Sequence, residues 1–284
     1  MAATNERVAL VTGTSSGFGM YASVDLARAG FRVVATMRNL AKKQPLLDAA
    51  AAHGVELEVV RLDVTEAASI AAAARYVAER HGRLDVLVNN AGYGLTGAVE
   101  DTPADALRAQ LETNVIGLAE VTRAFLPMMR ARRSGRVINV SSMGGRTTFP
   151  GFAPYHASKF AVEGLTEAME FELAPFGIQV VLIEPGAFGT EFDRGSMVRS
   201  VRDGSPYRPI LDNMDARMSR FRFLAQDPRA VSRVIVKAAS ARRPRLRYPV
   251  GIDARFILLM RPFTPWRLWH WFNARIVGVP FRLG

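Results

Sequence analysis

Cysteine is absent from all 284 positions, and disulfides, thiolate nucleophiles and thiolate zinc sites go with it. Histidine is scarce: His53, His81, His156 and His270 are scattered without metal-ligand spacing, so no metal site is expected. His156, next to Tyr155, reads as a structural or surface residue. No run approaches the roughly eighteen apolar residues that span a membrane. The apolar stretch after Glu6 and Arg7 is only about five residues long, too short for a signal-peptide core. These absences are compatible with a cytoplasmic chain, which is the expectation. Acid is also in the minority: 26 Asp and Glu against 37 Lys and Arg leave a formal charge of +11. That excess attracts anions such as nucleotide phosphates, nucleic acid or a membrane surface. No nucleic-acid-reading motif accompanies it, so it reads as a solvated arginine-rich surface with no nucleic-acid partner.

What is present alternates. Short β-branched runs at 8–12, 32–36, 56–62, 85–89, 136–141 and 179–184 read as strands. Ala- and Leu-rich stretches at 18–29, 40–53, 66–80, 103–132 and 155–174 read as helices. Near-continuous apolar strands separated by helices imply a parallel sheet covered on both faces. No linker or repeat interrupts 6–186, and a chain that is 49% hydrophobic suits one large domain. The expected fold class is therefore α/β, a doubly wound parallel sheet (Rossmann) over 1–284. Residues 187–226, with no clear strand, read as a substrate lid, because long irregular stretches in compact domains are usually functional. A helix near 228–241 and a strand near 246–250 follow. The extension 252–284 mixes Trp266, Trp269, Trp271 and Phe272 with Arg267, His270 and Arg275. It reads as packing over the pocket or against a partner subunit, in preference to an interfacial membrane helix.

Two constellations carry chemistry. The first is Thr12-Gly13-Thr14-Ser15-Ser16-Gly17-Phe18-Gly19, which leaves the first strand and opens the first helix. Gly13 allows the tight exit, Gly17 lets backbone approach a ligand, and Gly19 lets helix and strand pack closely. Free N–H groups and the helix dipole there favour an anion such as pyrophosphate. At the second strand's end stands Ala35-Thr36-Met37-Arg38-Asn39, without the acid that would bind a ribose 2′-hydroxyl. Arg38 suits a 2′-phosphate, so NADP(H) is expected over NAD(H). Asp63, followed by Val64, ends the third strand, either reaching the adenine or capping the next turn.

The second constellation is Tyr155 and Lys159, four apart on one helix face, with Ser142 thirteen positions before the tyrosine. Pro154 fits the start of that helix. The pair by itself is a weak signal; the ordered set is a strong one. With the glycine turn, Asn89-Asn90-Ala91-Gly92, Ser142, Tyr155-x-x-x-Lys159 and Pro185-Gly186 all in order, the chain over about residues 6–190 resembles the short-chain dehydrogenase/reductase family. Within the family it looks like the branch acting on steroids, retinoids and related apolar alcohols or ketones.

The resemblance implies Tyr155 as acid/base, Lys159 as the cation lowering its pKa and holding the nicotinamide ribose, and Ser142 as the group orienting the substrate oxygen. Ser141 is the competitor for that last role. It further implies Asn114 holding a water that links Lys159 to solvent. Asn90, Ala91 and Gly92 would lie beside the adenosine, and Pro185, Gly186, Phe188 and Thr190 beside the nicotinamide. A tyrosine normally titrates near 10, so lowering it by about three units takes roughly 4 kcal/mol of differential interaction. Candidates for the substrate wall are Leu95, Ser142, Met143, Phe149, Phe152, Tyr155, Phe188 and Phe192, with Met197, Met214, Met218, Phe221 and Phe223 from the lid. Several of these would equally fill the lid's own core. The function expected is hydride transfer to or from a small apolar carbonyl or alcohol, in a homodimer or homotetramer built on the helices near 103–132 and 155–174. The alternative is a catalytically silent NADP-binding regulator, against which the intact Asn114, Ser142, Tyr155 and Lys159 argue.

Overall fold

The computed structural model describes residues 6–188, 197–220 and 226–279. The first strand, β1 (Val8–Thr12), has no exposed residue. A strand with no polar face needs cover on both sides, as in a parallel sheet flanked by helices. It pairs in parallel with β2 (Arg32–Met37) and β4 (Val86–Asn89). With β3 (Glu58–Arg61), β6 (Gly135–Val140), β7 (Ile178–Pro185) and β9 (Arg247–Val250) they form a seven-stranded sheet ordered β3-β2-β1-β4-β6-β7-β9. Every pairing in it is parallel. The chain runs outward from β1 to β3 and then returns to β4. This reversal leaves a crevice beyond the carboxyl ends of β1 and β4, where open α/β sheets bind ligands.

Side-chain alternation along β1 divides the core. Ala9 and Val11 join Ala22 and Leu26 of α1 (Gly17–Arg28), Leu46 of α2 (Gln44–Ala51) and Ile235 of α8 (Arg229–Ser240). Val8 and Leu10 face the other way, with Val77 of α3 (Ala67–His81), Phe125 of α5 (Gly117–Ala131) and Leu173 of α6 (Ala153–Leu173). Arg136, almost wholly buried at the start of β6, ties α8 to the sheet. Its guanidinium donates to the carbonyls of Ala238, Ala239 and Ala241, at the helix end whose dipole favours a cation.

Departures from the sequence reading concern elements set by distant contacts. The stretch 40–53 splits into a 3-10 turn, Leu40–Lys42, and α2. The stretch 103–132 is α4 (Ala104–Leu111), a π-helical turn Glu112–Ile116, and α5. Inside the segment read as strandless, β8 (Met197–Arg199) pairs in parallel with β5 (Gly94–Thr96), and α7 (Arg208–Arg220) follows. That segment is fixed to the sheet side by polar bonds. Arg202 donates to Asp101 at 2.8 Å and Glu100 at 2.7 Å, Ser205 donates to Asp101, and Tyr207 donates to Glu100 at 2.9 Å. Bonds from Ser205 and Arg202 hold the Asp101 carboxyl below its ordinary pKa.

The extension forms α9 (Ile252–Met260) and α10 (Trp266–Val277). One side of α10 packs on α7, burying Trp269 and Ala274, while Val279 joins Leu211, Met214 and Phe152. The extension therefore packs on α7 through one face of α10. On α9, Ala254 and Leu258 are buried while Ile252, Phe256 and Leu259 are exposed, and on α10 Leu268 and Phe272 are exposed. Among the described residues no helix is long and apolar enough to cross a membrane.

Candidate active site

The glycine turn sits at the carboxyl end of β1. Gly13 has φ +70, and a Cβ there would stand 2.8 Å from the Ala91 Cα. Asn90 closes the turn from β4: its side-chain amide donates to the carbonyls of Thr12 (2.9 Å) and Gly13 (3.0 Å). The Thr12 hydroxyl accepts in return from the Asn90 and Ala91 N–H groups, at 3.0 and 2.9 Å. Gly19 packs so tightly on the Gly13 carbonyl and the Asn90 amide that no side chain fits. Gly17 differs: at φ +58 it has nothing within 4 Å of where a Cβ would be. Its surroundings are open, as approach of a ligand to backbone requires. Ser16 precedes α1 without a side-chain cap, and no acid lies in the first turn. Uncapped N–H groups, the helix dipole and open space together fit a pyrophosphate.

Arg38 is exposed just beyond β2 and makes no ion pair or hydrogen bond among the described residues. The Asp63 carboxylate caps the turn after β3, accepting from the Thr65 amide (3.0 Å) and hydroxyl (2.8 Å). Burial works against its charge, but those bonds and the fields of Arg38 and Arg61 outweigh it and keep its pKa low. Val64 buries its side chain in the core, its carbonyl against Gly117.

Helix α6 carries Tyr155 and Lys159 into the same end of the sheet. Pro154 is its second residue, where a missing N–H costs no intrahelical bond. The Lys159 ammonium lies 5.8 Å from the Tyr155 ring centroid and donates at 2.9 Å to the Val140 carbonyl, at the end of β6. Two residues on, Ser142 accepts from the Gly144 N–H at 3.0 Å, which leaves its own hydroxyl proton available. Ser142 is partly exposed, whereas the Ser141 hydroxyl is buried without a hydrogen-bond partner among the described residues. Asn114 stands in the π turn, a local geometry frequent at functional sites. Its amide accepts from the Tyr93 N–H at 3.1 Å and donates to the Tyr93 carbonyl (2.9 Å) and the Ser158 hydroxyl (3.1 Å). It thus joins the loop after β4 to α6.

His156 is structural, as read, and has a definite task. Its Nδ1 bonds the Gly144 carbonyl at 2.8 Å and its Nε2 accepts from the Phe149 N–H at 2.9 Å. That pattern requires a neutral ring protonated on Nδ1, and burial lowers its pKa accordingly. The imidazole holds the 144–149 loop that follows Ser142.

Behind Lys159 is a charge network that the sequence reading missed. Glu163 lies one further turn along α6, on the face of Tyr155 and Lys159, a spacing visible in the sequence. Arg247 of β9 bonds Glu163, Glu167 and the fully buried Glu184, and Arg146 lies 3.5 Å from Glu184. Burial pulls the Lys159 pKa down to about 8, and Glu163 opposes that fall. Burial, then the charge of Glu163, raises Glu184, while Arg146 and Arg247 pull it back.

The remaining candidates divide. Phe18 and Phe188 meet edge to face at 5.7 Å. Gly186 is packed by the Asp253 carboxylate, which accepts from the Ala187 N–H at 2.6 Å. Leu95 is buried in β5, and Phe152 packs on Leu211 and Met214, which form a small core of their own on α7. Met143 begins the 3-10 turn after Ser142. Phe149 lines an apolar cavity of about 320 Å³ with His156 and Phe160, a lining that does not include Ser142 or Lys159. Thr190, Phe192, Phe221 and Phe223 lie outside the described residues, as does the side chain of Met218.

Comparison with known proteins accords with this geometry. The family model described as short chain dehydrogenase matches residues 7–198. Estradiol 17-beta-dehydrogenase 1 of Rattus norvegicus is 41% identical, over 85% of this chain and 72% of its own length. Retinol dehydrogenase 8 of Bos taurus is 38% identical, over 91% and 86%. A metagenomic short-chain oxidoreductase solved in complex with NADP superposes with a TM-score of 0.69 at 30% identity, covering 86% of this chain and 96% of that one.

Proposed function

This chain belongs to the short-chain dehydrogenase family, and on that premise we propose that it transfers hydride between NADP(H) and an apolar secondary alcohol or ketone. The observation that supports the reading is the approach of α6 to the end of β6: the Lys159 ammonium lies 5.8 Å from the Tyr155 ring centroid and bonds the Val140 carbonyl, two residues before Ser142. The nicotinamide, when bound, supplies or accepts the hydride. In reduction, Tyr155 gives its phenolic proton to the carbonyl oxygen while Ser142 donates a hydrogen bond to that oxygen. In oxidation, the phenolate takes the alcohol proton. Lys159 favours the phenolate by its charge, and its N–H bonds not used by Val140 remain for ribose hydroxyls. Asn114 acts through the Tyr93 and Ser158 contacts by fixing α6 against the loop after β4.

Estradiol and retinol, named in the two relatives, are both apolar alcohols, and the partly exposed Met143 and Phe152 offer apolar surface of the same kind. Residues 187–226 serve as the lid in this reading. Consumption of NADPH with a panel of steroid, retinoid and aryl ketones tests it, and binding without turnover across the panel would count against it. Arg38 supports the choice of NADP(H), being an unpaired cation where a 2′-phosphate is expected. Losing one charge-assisted bond is worth about 1.5–3 kcal/mol, so Arg38→Glu should cut kcat/KM for NADPH about 10- to 100-fold while NADH is little affected. Equal losses with both cofactors would remove Arg38 from the discrimination.

A further consequence is a pH limit. With the Lys159 pKa down at about 8, its charge is present below that value and lost above it. The kcat/KM profile, which reports the free enzyme, should therefore fall above about pH 8. Glu163→Gln should move that limb to lower pH, since Glu163 is the group that sustains the charge. A limb unmoved by that change would contradict the assignment.

A further inference from the structure

The last two helices turn much of their apolar surface outward. At 100° per residue, Ile252, Phe256, Leu259 and Met260 of α9 fall within about a 100° arc, and that arc is the exposed one. Ile252 is 79% exposed and Phe256 and Leu259 are each 65% exposed, while Ala254 and Leu258 on the opposite side are buried. A helix packed on a globular core normally shows water its polar side. The pattern continues: Phe263 is 79% exposed in the following turn, and Leu268 and Phe272 lie on the outward side of α10. Exposed apolar surface of this extent marks an interaction site.

Charge selects the partner. Between residues 252 and 279 there are four arginines and a single acid, Asp253. Asp253 is engaged internally, accepting from the Ala187 N–H and the Gln226 amide. Arg255, Arg261 and Arg275 have no carboxylate partner among the described residues. Three arginines lie over indole rings: Arg261 on Trp269, Arg267 on Trp266 and Arg275 on Trp271, at 5.7, 5.6 and 5.3 Å. Trp rings with exposed aliphatic and aromatic neighbours and unpaired cations match a headgroup–acyl boundary. A second copy of this chain fits poorly: a two-fold contact sets each patch against itself, bringing arginine to arginine with no acid between. The exposed Phe160 and Phe171 of α6 are of another kind, standing beside Glu167, Glu170 and Glu172.

We propose that the outward face of α9 and α10 docks the protein on the surface of an anionic lipid bilayer, lying in the interface without crossing it. The test uses the full chain with vesicles of phosphatidylcholine, with and without phosphatidylglycerol, in a flotation assay. The chain should float with the anionic vesicles, and added salt should weaken the partition. Phe256→Glu combined with Phe263→Glu should lower it at least tenfold, as should Arg255→Gln with Arg275→Gln; the second pair serves if the first disturbs folding. Failure to float with either vesicle overturns the proposal. So does equal flotation on neutral and anionic vesicles, or unchanged flotation of both variants. If the phenylalanine variant instead halves the sedimenting mass while vesicles are ignored, the face is a contact between copies and the proposal falls.

Discussion

Tyr155→Phe is expected to leave NADPH binding nearly unchanged and to reduce carbonyl turnover about 10²–10⁴-fold, the usual contribution of a positioned acid/base group. That range corresponds to about 3–5.5 kcal/mol of barrier. The substitution removes one oxygen and keeps the ring that lies 5.8 Å from the Lys159 ammonium, so the loss can be assigned to the proton and not to packing. Lys159→Met supplies the contrast. It removes the cation, the bond to Val140 and the donors left for the ribose, so binding and turnover should decline together. Fluorescence titration with NADPH, run beside steady-state reduction of an apolar ketone, separates the two. A phenylalanine variant within a few-fold of wild-type turnover would take Tyr155 out of the chemistry.

Arg247→Met should be the most destabilising single change considered. The guanidinium bonds Glu163, Glu167 and Glu184, of which Glu184 has a fully buried side chain and Glu163 a nearly buried one. Without it, Arg146, 3.5 Å from Glu184, and Lys159, whose charge Glu163 favours, are left to oppose the two buried carboxylates. Removing one partner from a buried ionic group typically costs about 3–5 kcal/mol, because a charge is left uncompensated. The pH dependence follows from Glu184, whose pKa in the fold is raised by burial and by Glu163. A carboxyl with a raised pKa binds its proton more tightly folded than unfolded, so its penalty is full when ionised and is relieved as pH falls through the folded pKa. The deficit of the variant should therefore be largest near neutrality and shrink in mild acid. Urea unfolding across pH reads both effects, and adding Glu163→Gln should recover part of the loss. A midpoint close to wild type at neutral pH would show that the network carries little stability.

The central sheet was readable in the sequence because its inner strands bury nearly every side chain. Val8–Thr12 and the later β-branched runs have no polar face, so composition located them to within a residue or two. Tyr155, Lys159 and Glu163 could be placed on one helical face by counting. What periodicity could not reach was set by distant partners. β5 and β8 are each three residues long, and they pair across about a hundred positions. The break between α4 and α5 occurs where Asn114 turns in to bond Tyr93 and Gly117 packs on the Val64 carbonyl. Arg247 lies 84 positions from Glu163, and nothing local to it indicates a buried charge. For the extension, the usual inference that apolar residues turn inward held for Trp269 but failed for Phe256 and Phe263.

The carboxylate of Asp253 fills the space in which any side chain at 186 would stand, while also capturing the Ala187 amide and the Gln226 side chain. Alanine at 186 has no room unless that carboxylate withdraws. The start of α9 and the exit of β7 are therefore one rigid joint. That joint stands one residue before Phe188, whose ring meets Phe18 at the mouth of the glycine turn.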